Sequence, residues 1–144
     1  MREVDADAAD GYGMKAPRWL DRRIAAPGPY LTLCLSEDEF KSVIRRLRIQ
    51  DPGPWISNDH SDATVHHIAA RGGSRFCIVC VSGWEGRDPI ELAGLLVHES
   101  VHIWQCYADD IGERNPGAEQ EAYAIQSIAQ ELMTEFARRM KAMV

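Results

Sequence analysis

From Asp88 to Gly112 the chain carries a helix start, a helix stop and, between them, an almost unbroken apolar run. Asp88-Pro89-Ile90-Glu91 reads as an N-cap, a proline at the first helical position and a glutamate at the third, the arrangement of a capping box. Gly112, after Asp109-Asp110-Ile111, suits the left-handed residue that closes a helix. Between them Ile90, Leu92, Ala93, Leu95, Leu96, Val97, Val101, Ile103 and Trp104 cover nearly every side. That pattern predicts a long helix buried inside a domain, with the rest of the chain packed around it.

Set in the middle of this helix is His98-Glu99-Ser100-Val101-His102, an HExxH pattern. Positions i and i+4 lie one above the other on a helix face, so His98 and His102 can offer two imidazoles to one tetrahedral ion. Glu99 sits about 100° around the helix, where it does not bind the ion but can take a proton from water on it. Three ionisable residues in a buried helix need partners, because leaving them unpaired costs several kcal/mol. A metal meets that need, and so would a closed hydrogen-bond network.

A third ligand has to come from another element. Asn115-Pro116-Gly117 marks the start of a second helix, on which Glu119, Ala122, Tyr123 and Gln126 share a face. Glu119 lies 17 residues after His102, enough chain to end one helix and bring an antiparallel one back to the ion. Glu121 competes for the role, and helix phasing turns it about 200° from Glu119, so only one of the two can face the ion. Two imidazoles, one carboxylate and one open position describe a catalytic zinc site, one ion per chain. Manganese, cobalt or nickel would accept the same donors.

His98-Glu99-x-x-His102 followed by Glu119-x-x-Ala122-Tyr123 resembles the gluzincin metallopeptidases, in which HExxH is followed by ExxA and then Asp or Asn. The stretch from His98 to Gln126 is also similar to small metallopeptidase-like proteins of phages and prophages. The resemblance covers roughly the last third of the chain. It implies that Glu119 is the third zinc ligand and that Tyr123 takes the place of the residue bracing a ligating histidine. It also implies zinc-dependent hydrolysis of a peptide or protein substrate, with zinc-activated water attacking the carbonyl and Glu99 as general base. Tyr123, Tyr107, His60, His66 and His67 are the candidates for a further oxyanion donor.

Length and charge bound the remainder. A chain of 144 residues is sized for one domain with its own core. Its 16 basic and 22 acidic residues give a net charge of −6, which argues against a dedicated nucleic-acid surface. Glu91, His98, Glu99 and His102 interrupt the apolar run, so no membrane span is expected, and the acidic first twenty residues do not read as a signal peptide. Cys34, Cys77, Cys80 and Cys106 are too few and too scattered for a disulfide scaffold, which suits a reduced, cytoplasmic protein. Cys77 and Cys80 form a CxxC inside a predicted strand, where residues three apart point to opposite faces, so both read as small core residues.

The N-terminal half reads as scaffold. Residues 1–17, poor in apolar side chains, are expected to be a flexible arm, and 18–144 the domain. Tyr30 to Leu35 is a predicted strand running into a capping box, Ser36-Glu37-Asp38-Glu39, and a helix with Phe40, Val43, Ile44 and Leu47 on one face. Thr64–Ile68 and Phe76–Val81 flank Arg71-Gly72-Gly73-Ser74 as a hairpin. In it His66 and His67 point to opposite faces, and its second strand is expected near the metal. In gluzincins an edge strand there pairs with substrate backbone, and Trp84 reads either as a subsite wall or as cover for the helix start. The terminal helix, about Pro116 to Met140, buries Ala122, Ile125, Ala129, Leu132, Met133 and Phe136.

The fold expected is α+β and zincin-like: a small, mostly antiparallel sheet against a buried active-site helix and a ligand-bearing C-terminal helix. Two other functions fit the same residues. One is a non-catalytic phage interaction or assembly protein with a structural zinc; the other is a metal-dependent amidase acting on a non-protein substrate.

Overall fold

The segment Phe76-Cys77-Ile78-Val79-Cys80-Val81 has no polar side chain, so as a strand it must be covered on both faces. The computed structural model, which describes residues 16–20, 28–58, 60–70 and 72–143, places it at the centre of a three-stranded sheet. The elements run β1 (Tyr30–Cys34), α1 (Glu37–Leu47), β2 (Ala63–Ala69), β3 (Arg75–Val81), α2 (Pro89–Asp110) and α3 (Ala118–Ala142). Strand order is β1-β3-β2. The hairpin expected at the Gly72-Gly73 turn is present, with His67 opposite Cys77 and Val65 opposite Val79.

The sheet is mixed, not mostly antiparallel. β2 pairs antiparallel with β3, but β1 pairs parallel with it, Leu31 opposite Cys77 and Leu33 opposite Val79. An all-apolar β3 cannot sit at an edge, so β2 takes one side through the tight turn. β1, separated from β3 by α1 and β2, takes the other in the parallel sense that a longer crossover allows.

Alternation along the strands sorts the core into two layers. Leu31, Leu33, Cys77, Val79 and Val81 face Leu96, Ile103 and Trp104 of α2 and Ile128 and Leu132 of α3. Cys34, Ile78 and Cys80 face Phe40, Val43 and Ile44 of α1. Cys77 and Cys80 thus belong to different layers, as strand geometry requires.

Local signals set the helix ends. The Ser36 side chain accepts from the Glu39 backbone N–H at 3.2 Å, while the Glu39 carboxylate accepts from Leu35 N–H at 3.3 Å; α1 ends on Arg48 in the left-handed region at φ 54°. The Asp88 carboxylate caps α2 through Ile90 N–H at 2.7 Å, ahead of Pro89, and Gly112 follows its end at φ 73°.

α2 is not buried on every side. Leu92, Leu96, Glu99, Ser100, Ile103, Trp104 and Ala108 are inside, but Ile90 is 82% exposed and Val97, His98 and His102 also face outward. An apolar count predicts coverage only if neighbours exist to provide it, and here the sheet and α3 cover one broad face. Trp84 proves to be a packing residue: its indole N–H donates to Leu35 O at 2.9 Å and its ring meets Phe136 edge-on.

Ion pairs tie the N-terminal segment and α1 to α3. Glu135, 1% exposed, accepts from Arg18 Nε at 2.8 Å and from Arg138 Nε and Nη2 at 2.9 and 2.6 Å. Arg139 pairs with Glu39 and donates to Leu33 O. Most of the expected N-terminal arm, residues 1–15, lies outside the described residues. No described helix is long and apolar enough to cross a membrane.

Candidate metal centre

His98 and His102 stand one turn apart on the outward flank of α2, on the side toward β2. Their Nε2 atoms converge to 3.1 Å, with ring centroids 4.7 Å apart and planes at 75°. Two Zn–N bonds of about 2.0–2.1 Å at the tetrahedral angle would separate the nitrogens by roughly 3.3 Å, so the pair already has nearly the spacing of two ligands on one ion. His102 Nδ1 meets Gln105 Oε1 at 3.3 Å. An amide oxygen only accepts, so this contact favours the tautomer with the proton on Nδ1, which leaves Nε2, directed at His98 Nε2, as the nitrogen able to bind a metal. Gln105 is not among the sequence candidates, although its place three residues after His102 on a helix is the signal for such a pair. The donor chemistry of the pair fits zinc.

Glu99 occupies the next position round the helix and is only 6% exposed. Burial pushes its carboxyl above the ordinary 4.5, and the two neighbouring imidazoles offset part of that rise. The result is a carboxylate with enhanced proton affinity beside the converging nitrogens, which suits a general base. An open groove runs past His98 and Glu99 between Asp62-Ala63 at the start of β2 and Glu91, Gly94 and Leu95 of α2. Arg87 spans it, 3.3 Å from Asp62 and 3.8 Å from Glu91.

α3 does not complete the site in this structure. Its packed face carries Ala124, Ile128 and Leu132. Glu121, seven residues before Ile128, shares that face and accepts the Trp104 indole N–H at 2.8 Å. Trp104 lies two residues beyond His102, roughly 200° around α2, so this carboxylate is held on the flank away from the histidines. Glu119, nine residues before Ile128, falls roughly 180° from the packed face and is exposed. Tyr123 is 65% exposed. Among the described residues no group of three or more His, Cys, Asp and Glu side chains is close enough to hold a metal ion. Thus His98, Glu99 and His102 come together, while Glu119, Glu121 and Tyr123 are not brought to them.

The other sequence candidates are spread over the fold. His66 stacks on Phe40 at 4.5 Å and its Nε2 reaches Trp55 O at 3.0 Å, on the α1 side of the sheet. His60 is in an exposed turn. Tyr107 packs against Trp104. His67 points to the α2 side, its Nδ1 3.5 Å from Cys77 Sγ. Desolvation holds its ring below the usual 6.5, a fall that Asp110 opposes and His102 and His66 reinforce. No protein-family model, no curated protein and no solved structure matches this chain.

Proposed function

We propose that the protein is a zinc-dependent hydrolase of peptide bonds in which His98 and His102 hold the metal and Glu99 is the general base. The observation that carries this reading is the convergence of two imidazole Nε2 atoms to 3.1 Å beside a buried carboxylate of raised proton affinity. Bound zinc would polarise the substrate carbonyl and acidify water. Glu99 would take a proton from the attacking water and return it to the leaving amine, and its burial makes it a stronger base than a solvated carboxylate. Gln105 fixes the tautomer and orientation of His102. The third protein ligand in this reading is Glu119, on the motif spacing, with Glu121 as the alternative.

β2 supports a peptide as substrate. It is an edge strand beside α2, while β3, the strand expected near the metal, is central and has both edges paired. A strand with one unpaired edge next to the histidines can add an extended chain by backbone hydrogen bonds. A purely structural zinc is less well matched, because such ions sit in closed four-ligand shells and these imidazoles face solvent.

The test is Glu99→Gln in zinc-loaded protein, assayed on a quenched fluorescent peptide library. Hydrolysis is expected to fall by about 10²–10⁴-fold, with zinc content and melting curve retained. Undiminished hydrolysis would remove Glu99 from the chemistry, and absence of hydrolysis by the native protein on peptides but not on other amides would move the reading to a non-protein substrate.

A further inference from the structure

One turn beyond His102 the same row of α2 reaches Cys106, and there the helix walls a separate cavity of about 170 Å³. Its other walls are His67 of β2, Phe76 and Cys77 of β3, and Ile103 and Tyr107 of α2. Engineered apolar cavities of about 150 Å³ take up benzene, so the space matches one phenyl ring or a large aliphatic side chain. From the His102 level to the Cys106 level is about 6 Å along the helix axis. An extended peptide advances 3.2–3.4 Å per residue and returns to the same face every second one, so a chain lying on β2 with a carbonyl at the histidines can drop a nearby side chain into this cavity.

We infer that the cavity between β2, β3 and the C-terminal half of α2 is a specificity subsite for one large apolar or aromatic side chain within two residues of the scissile bond. This deepens the hydrolase reading and rests on it for the word substrate. The charge state of the walls fits a neutral occupant. Burial pushes the Cys77 thiol up to about 12, and Cys106 and Asp110 push the same way, so it stays protonated at neutral pH. His67 is biased toward its neutral ring. The charged groups on the lining, Arg75 and Asp110, pair with each other at 3.6 Å. A Lys or Glu side chain would enter without a counter-charge and lose its hydration.

Metal-free native protein, isotopically labelled, should be titrated with N-acetyl-phenylalaninamide, N-acetyl-alaninamide and N-acetyl-lysinamide while amide shifts are followed. The phenylalanine probe is expected to shift residues 67, 76, 103, 106 and 107 saturably and to bind at least tenfold more tightly than the other two. Cys106→Phe, which fills the space, should abolish those shifts. Ile111→Trp, at the exposed rim of the same cavity, gives a second obstruction that leaves the core untouched should Cys106→Phe fail to fold. Equal affinity for the lysine probe, or shifts that persist in the folded Ile111→Trp and Cys106→Phe proteins, would overturn the subsite. On zinc-loaded protein, peptides with Phe near the cleaved bond should be turned over at least tenfold faster than Ala peptides, and Ile111→Trp should erase the difference. Selective binding without any hydrolysis would overturn the hydrolase reading and leave the cavity's ligand class standing; hydrolysis indifferent to Phe would overturn the subsite alone.

Discussion

Replacing Glu135 by Gln removes a charge while nearly keeping a shape, at a point where α3, the 16–20 segment and the sheet are joined. The native carboxylate is 1% exposed and accepts three N–H bonds, from Arg18 at 2.8 Å and Arg138 at 2.9 and 2.6 Å. Hydrogen bonds to charged groups contribute about 1.5–3 kcal/mol each, and breaking a fully buried pair costs about 3–5 kcal/mol. Here the arginine side chains are 55% and 44% exposed and can turn to water, which lowers the loss. A Gln side chain keeps one acceptor oxygen but sets an NH₂ against a guanidinium. The expected destabilisation at pH 7 is about 2 kcal/mol, read as a lower urea midpoint with an unchanged slope. Its pH dependence separates charge from shape. Burial alone would raise the Glu135 pKa, but the hydrogen bonds and charges of Arg138 and Arg18 outweigh it and hold the group below 4.5. A depressed carboxyl pKa contributes stability above the unfolded value, and that contribution is lost as pH falls through the folded one. The gap between native and Glu135→Gln should therefore be constant from pH 7 to about 5 and close below about 4.5. A gap that persists unchanged to pH 3 would refute the charge argument.

Two further substitutions or treatments check the local physics. Ser36→Ala removes the α1 cap, whose hydroxyl accepts from Glu39 N–H, and should cost about 1 kcal/mol in thermal or urea unfolding. Cys34, Cys77 and Cys80 are buried and Cys106 is half-buried, and Cys77 is pushed up to about 12 by burial; iodoacetamide at pH 8 should therefore leave Cys77 and Cys80 unmodified until the protein is unfolded, as read by peptide mass mapping.

The sequence was most informative where one local interaction decides the outcome. Ser36 with Glu39, Asp88 with Pro89, and Gly72-Gly73 each specify their own helix start or turn without help from distant residues, and each is found where expected. The alternation of β2 and β3 likewise placed His66 and His67 on opposite faces and split the CxxC between two layers. What depended on partners was less legible. The apolar count of α2 could not reveal that Val97, His98 and His102 lie outside the covered face, because coverage is decided by where the sheet and α3 pack. For the same reason the spacing of Glu119 from His102 says how far the chain can reach, whereas the phase of α3 is fixed by Ala124, Ile128 and Leu132. That phase turns Glu121 toward Trp104 and Glu119 outward. The mixed sheet also follows from a non-local choice, the side of β3 that β1 takes. The convergence of His98 and His102, by contrast, needs only an α-helix, and was readable from five residues.

The most direct measurement is metal content by elemental mass spectrometry on purified native protein after zinc loading, beside His98→Ala, His102→Ala, Glu119→Ala and Glu121→Ala. About one zinc per chain in the native protein, lost in both histidine variants, is the predicted result, and depletion in one glutamate variant would name the third ligand. Native protein that stays metal-free, or His102→Ala protein that keeps full zinc, would contradict a metal centre on α2.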